Sequence, residues 1–363
     1  MSPHRPFGLI AAASVTVAVL LAGCGTSSST GASSGTSSAA AAASGPVPIG
    51  VDLTYNNTAF WSAYINYEKQ YAQQLHIKLM GPLLAAANAS LQNQQIEDLV
   101  NEGAKAVIVN PETATSLGPA ITYAAQHHVQ LISVDTIVGV GKVYMVVRAS
   151  NVLYGLDACA YISSRVKSGY VVDLEGDLTS SNGADRTNAF NSCMAANDPG
   201  VKLLKEPTTW VDPTAVTDAQ NAINAYGSKV KAIYSQWSSP DTGLLPLLKN
   251  KNLIDASQSQ PANLYAYWAL KYAADAAKGV SLKAGDPGGG APALQMISYQ
   301  GDSNLGDPIV APFVTKAAQT FHVKGVDGLP GTVQTTSVAD ARLWGNVYGA
   351  AHGGVCSKAA AAG

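Results

Sequence analysis

Charge is scarce in this chain. Lys, Arg, Asp and Glu make up 13% of its 363 residues, and the formal net charge is −2. Such a surface cannot neutralise a row of phosphates, which excludes nucleic acid and an anionic membrane face as partners. Histidine is equally thin: His4, His76, His127, His128, His322 and His352 include no pair at metal-ligand spacing. No Gly-x-Ser-x-Gly elbow stands between a strand and a helix of the folded part, as a hydrolase nucleophile requires. Asp286-Pro287-Gly288-Gly289-Gly290 lacks the strand-to-helix frame of a phosphate cradle and reads as a flexible turn. Asp173 and Glu175, alternate residues of one strand, are the one candidate carboxylate pair, and a structural role suits them better than catalysis. No cofactor and no enzymatic activity are expected. A single long apolar run, Leu9 to Ala22, has 14 residues, short of the ~20 that span a bilayer.

That run is informative for another reason. His4 and Arg5 precede it, and Leu21-Ala22-Gly23-Cys24 follows, so residues 1–24 read as a secretory signal. The four residues ending in Cys24 resemble a bacterial lipobox. The resemblance implies acylation of Cys24 and a chain held to the outer face of the bacterial cytoplasmic membrane by lipid alone. Residues 25–46, nearly all Gly, Ser, Thr and Ala, cannot bury a core and read as a flexible tether. Three cysteines remain. Cys159 and Cys193 fall on consecutive helices flanking one strand, and a bridge across that interval is worth roughly 3–4 kcal/mol on the loop-entropy argument. Two buried free thiols are the alternative. Cys356, in a Gly/Ala-rich tail, reads as unpaired.

From Pro48 onward, short β-rich apolar runs alternate with helical segments. Strands are read at Ile49–Tyr55, Ile77–Leu83, Ala104–Asn110, Gln130–Asp135 and Val143–Ala149, with helices at Ala59–Leu75, Leu91–Glu102 and Ser116–His128. A second series follows: helix Val152–Lys167, strand Tyr170–Glu175, helix Asp185–Ala196, strand Val201–Glu206, helix Pro213–Tyr226, strand Val230–Gln236 and helix Thr242–Lys249. Two such series predict two doubly wound parallel-sheet lobes, an α/β fold. The expected division is a first lobe of residues 47–150 plus 261–280 and a second of 151–260. Residues 281–363 are left as a hinge return and a poorly structured tail, with Leu294–Tyr299 as its one candidate strand and Leu343-Trp344-Gly345-Asn346 as a docking point.

Open α/β sheets place their sites beyond the carboxyl ends of strands. At those ends this chain carries Asn57, Phe60, Trp61, Asn110, Asp135, Arg186, Trp210 and Trp237. Planar polar groups make paired hydrogen bonds to vicinal hydroxyls, and aromatic faces cover the C–H side of a sugar ring. Plainer roles compete: Asn57 as a helix cap, Asp135 in a turn, Arg186 exposed and paired with Asp185, the tryptophans packed against loops. Their joint placement favours a site.

With those residues stands a family resemblance. The stretch from about Pro48 to Gly279 resembles the ribose-binding-like periplasmic sugar-binding proteins, the solute receptors of ABC importers. It is carried by Asn56-Asn57-Thr58-Ala59-Phe60-Trp61, Ile108-Val109-Asn110-Pro111, Ile132-Ser133-Val134-Asp135, Ala149-Ser150-Asn151, Asp185-Arg186 with Phe190, and Gln260-Pro261. The resemblance implies the type I periplasmic-binding fold, two lobes joined by hinge strands and closing on one sugar. Asn57, Phe60, Trp61, Asn110 and Asp135 would line the first lobe, Arg186, Trp210 and Trp237 the second, and Gln260 the hinge. It also implies a monomer working with an ABC permease; a sensor signalling through a membrane receptor is the runner-up. Four departures stand out. Thr136 occupies a position where Arg is frequent, Ala149 opens the first crossover, and Trp237 stands where relatives commonly have Asn. Lastly, Thr242–Lys249 runs almost directly into Ile254-Asp255-Ala256-Ser257-Gln258, so the second lobe is short of one βα unit and of a site carboxylate. A divergent copy that has lost its ligand is the reading this last departure leaves open.

Overall fold

In the computed structural model, the described residues are 45–257, 260–282 and 319–324, with short strands at 314–315, 332–334 and 336–337. The signal, residues 25–44 of the tether, Cys24, Cys356, the Gly-rich turn after Asp286, Leu294–Tyr299 and Leu343–Asn346 lie outside them.

Strands β1 (Val47–Leu53), β2 (Ile77–Leu84), β3 (Ala106–Val109), β4 (Gln130–Val134) and β5 (Met145–Val147) form one parallel sheet in the order β2-β1-β3-β4-β5. Strands β6 (Gly169–Glu175), β7 (Val201–Pro207), β8 (Val230–Ser235) and β9 (Ile254–Ser257) form a second, ordered β7-β6-β8-β9. All pairings in both sheets are parallel. Central strands such as β3, AVIV, are buried along their whole length, because helices cover both faces of a parallel sheet. The shortened lobe is visible here. Helix α7 (Asp241–Lys251) leads into β9, and the chain then crosses back to the first lobe, leaving four strands against five.

Helices begin where a short polar side chain follows a strand. Thr58, Asn88, Ser150 and Ser180 accept backbone N–H groups from Trp61, Leu91, Leu153 and Gly183. They cap α1 (Ala59–Gln74), α2 (Ala89–Asn101), α4 (Asn151–Ser163) and α5 (Ser181–Asn197), each cap being worth about 1 kcal/mol. Helices α3 (Gly118–Gln126) and α6 (Asp212–Tyr226) instead carry proline in the first turn, where its missing N–H costs nothing. The last long helix, α8 (Ala262–Ala277), buries Tyr265, Trp268 and Leu270 against Ile49, Ile108 and Ile132 of the first sheet. The first lobe is thus completed by residues that follow the second.

In the second lobe, α4 and α5 pack closely, because Gly155 carries no Cβ: one placed there would stand 2.3 Å from the Arg186 carbonyl oxygen. Cys159 on α4 and Cys193 on α5 are joined by a disulfide with Cα atoms 6.1 Å apart. Within the tail, Thr320–His322 pairs antiparallel with Thr332–Gln334. Phe321 is buried beside Ala160 and Tyr161, Arg165 stacks 3.8 Å from the Tyr161 ring centre, and the Lys324 N–H donates to Asn197 Oδ1 at 2.8 Å.

Candidate functional site

The carboxyl ends of both sheets face one cleft of about 130 Å³. From the first lobe it receives Tyr55, Phe60, Trp61, Asn110, Glu112 and Asp135; from the second, Asp177, Asn182, Arg186, Trp210 and Trp237, with Gln260 at the return crossing.

Asp135 sits one residue beyond β4 with φ 69°, a left-handed conformation that Asp tolerates better than most residues. Its N–H is held by the Val147 carbonyl at 2.9 Å, which aims the carboxylate across the cleft. Oδ2 accepts from Asn182 Nδ2 at 2.8 Å, and Oδ1 accepts from Gln260 Nε2. Burial pushes this carboxyl above its usual range; Arg186, Gln260, Arg148 and Asn182 oppose the shift. Asn182 is a junction. Its Oδ1 accepts from Arg148 Nη2 at 3.1 Å and from Asn151 Nδ2 at 3.2 Å, and the same Arg148 nitrogen reaches Asp185 Oδ2 at 3.1 Å. Arg148 ends the first lobe and Asp185 lies on α5, so this ion pair spans the crossover.

Arg186 is buried, not exposed. Its Nε donates to Asn151 Oδ1 at 2.6 Å and its Nη1 to the Gln236 carbonyl, while the guanidinium lies 4.2 Å from the Tyr154 ring centre and 5.2 Å from that of Trp210. Asp185, expected as its helix neighbour's partner, is instead taken by Arg148. Asn110 Nδ2 donates to the Val134 carbonyl at 3.1 Å and to Thr136 Oγ1 at 3.3 Å. Thr136, standing where an arginine is frequent, therefore steadies Asn110. Phe60 meets Trp61 and Tyr265 edge to face, with centroids 4.8 and 5.5 Å away.

On the second lobe, Trp210 and Trp237 are perpendicular at 5.4 Å. Trp237 Nε1 donates to Asp212 Oδ1 at 2.8 Å. Behind them Asp173 and Glu175 are buried, and the Asp173 carboxyl is pushed well up, chiefly by burial and then by Glu175. Gln236 Nε2 donates to Asp173 Oδ1 at 3.2 Å, a structural bond below the cleft.

Of the nine residues read from sequence, eight line the cleft. Asn57 does not: it is exposed, and its neighbour Thr58 supplies the cap of α1. Asn182 went unread, because α5 begins at Ser181 and not at Asp185. Ser180, a polar residue in the loop after a strand, was the available signal. Among the described residues no group of three or more His, Cys, Asp or Glu side chains is placed to hold a metal.

Comparison with known proteins adds a second kind of observation. Residues 49–258 match the family described as periplasmic binding protein domain. A xylitol-binding protein of Mycolicibacterium smegmatis is 28% identical over 181 residues, 49% of this chain and 51% of that protein. The ribose import binding protein of Escherichia coli is 28% identical over 203 residues, 56% of this chain and 67% of its own length. The chain thus spans about half the length of the first relative. Among solved structures, an ABC transporter solute binding protein from Mycobacterium smegmatis with bound glycerol superposes with TM-score 0.60 at 20% identity, covering 66% of this chain and 91% of that one. The Caulobacter myo-inositol binding protein, bound to myo-inositol, gives TM-score 0.59 at 23% identity, covering 65% and 89%. At those identities the likeness is one of fold.

Proposed function

Because this chain belongs to the periplasmic binding protein domain family, whose members bind and do not catalyse, we propose that it is an ABC-transporter receptor taking a small sugar or polyol between its lobes. The observation that carries the reading is the Asp135 carboxylate, buried at the cleft and reached by Asn182 from the opposite lobe. A ring hydroxyl entering there donates to Asp135 and accepts from the Arg186 guanidinium, and the aromatic residues cover the C–H faces. The ligand then touches both lobes at once and stabilises their closed arrangement, which is the form that docks on a permease. On this reading Cys24 carries the lipid, residues 25–46 give reach, and a monomer works outside the cytoplasmic membrane.

The test is a thermal-shift screen of the full chain against pentoses, hexoses and polyols. Saturating ligand at about 100 times Kd adds about 2.7 kcal/mol and so raises the melting temperature by several degrees. Asp135→Ala should abolish the shift. A folded protein that shifts with none of these compounds sinks the proposal.

A further inference from the structure

The second-lobe wall of the cleft has two parts: an Asn182–Arg186 end rich in hydrogen-bonding groups, and a Trp210–Trp237 end that presents few. Trp237 turns its one donor away, to Asp212 Oδ1. Ser239 Oγ donates to the other oxygen of the same carboxylate at 2.5 Å. Ser180 Oγ donates to the Asp177 carbonyl and accepts the Gly183 N–H, and Asp177 Oδ1 accepts twice from Thr179. Around the two indoles, then, the Trp237 N–H and the Ser180 and Ser239 hydroxyls are taken up within the lobe itself.

What this end of the wall presents is indole surface, and the backbone is bent to present it. Thr209 and Trp210 are consecutive non-glycine residues with φ 52° and 64°, a conformation costing about 1 kcal/mol or more for each. That turn lays the six-membered ring of Trp210 on Gly176, where an added Cβ would stand 2.1 Å from it. Trp237 stands perpendicular beside it, edge-locked by Asp212. A hydroxyl pressed against such a surface loses water and gains no partner, whereas a methyl or methylene loses nothing.

We propose that this indole pair, with Trp237 as the specificity-determining residue, selects a deoxy sugar: a ring whose second-lobe end carries a methyl or methylene in place of a hydroxyl-bearing carbon. The inference rests on the sugar-binding reading above and names the ligand class within it.

The experiment is calorimetric titration of the full chain with matched pairs: D-galactose and D-fucose, L-mannose and L-rhamnose, D-ribose and 2-deoxy-D-ribose. In at least one pair the deoxy member should bind about tenfold tighter or more. Trp237→Asn, which offers an amide in place of the ring, should erase or reverse that ratio. Trp237→Phe should largely keep it, since it retains an apolar ring; this arm also controls for misfolding, with melting temperature read for each variant. If the hydroxylated member binds as tightly in every pair, or if Trp237→Asn leaves the ratio unchanged, the specificity inference falls while sugar binding stands. If neither member of any pair binds a folded chain, but other sugars do, the deoxy class is again excluded. Binding of no sugar at all removes both readings together.

Discussion

Asp135 and Asn182 belong to different lobes, yet their side chains meet at 2.8 Å, carboxylate oxygen to amide nitrogen. The contact places the acceptor of one lobe in the hands of the other. Asn182 also receives Arg148 and Asn151, so one amide ties together the end of the first lobe, the crossover and α5.

Asn182→Ala should therefore do two things. Removing the amide leaves buried partners unsatisfied, which costs about 1–3 kcal/mol of stability in a urea titration. It should also weaken ligand binding, by calorimetry, because the Asp135 carboxylate is no longer steadied. Unchanged stability would show that the junction is not formed in solution.

Gly176→Ala should be more damaging to the site than its size implies. The methyl collides with Trp210, and overpacking of this kind costs about 1–3 kcal/mol unless the ring moves. We expect the ring to move, read as a change in tryptophan fluorescence with weakened sugar binding. A spectrum and affinity identical to the parent would contradict the packing described.

Stability should fall as pH rises, and Glu68 is a principal cause. It is wholly buried on α1, with Tyr64 OH donating to Oε1 at 3.1 Å, and burial pushes its pKa from 4.5 to about 8. Asp52 behaves alike, pushed to about 7 by burial. Between these folded values and the unfolded ones the native chain binds more protons, so protonation favours the fold. The contribution is fully present below about pH 4 and is lost progressively as pH rises through 7 and 8. Glu68→Gln should flatten that slope between pH 5 and 8 in denaturant midpoints; a slope as steep as the parent's would place the titration elsewhere.

Cys159→Ser should lower stability by about 3–4 kcal/mol, measured by denaturant unfolding, while sugar affinity stays within twofold or so. The bridge joins α4 to α5 and contributes nothing to the cleft lining. A large loss of affinity would mean that the α4–α5 spacing controls the site.

The strand and helix alternation was legible because parallel strands buried on both faces leave short unbroken apolar runs, as in AVIV of β3. The shortened second lobe was legible too, since Asn252 is followed at once by the Ile254–Ser257 strand and then by Gln260-Pro261. Boundaries were less so. Ser181-Asn182-Gly183 has weak helix propensity, and only the Ser180 cap starts α5 there, which hid Asn182 from view. Arg186 was legible as a site residue, but its burial was not, because that depends on Tyr154 and Asn151 arriving from another helix. Nor does a sequence reveal that Trp237 spends its donor on Asp212.

Helix α8 carries a consequence for the order of events in folding. Its Tyr265, Trp268 and Leu270 belong to the core of the first lobe, although some two hundred residues separate them from Ile49. The second lobe draws its two main cores from a continuous stretch between Val152 and Ala256, apart from Val323. Contacts across short separations form before those that must close a long loop. The second lobe should therefore gain amide protection ahead of the first in pulse-labelled hydrogen exchange, and simultaneous protection would refute this order. A chain emerging from its N-terminus would then wait, with one face of its first sheet covered only in part, by α1, until α8 arrives.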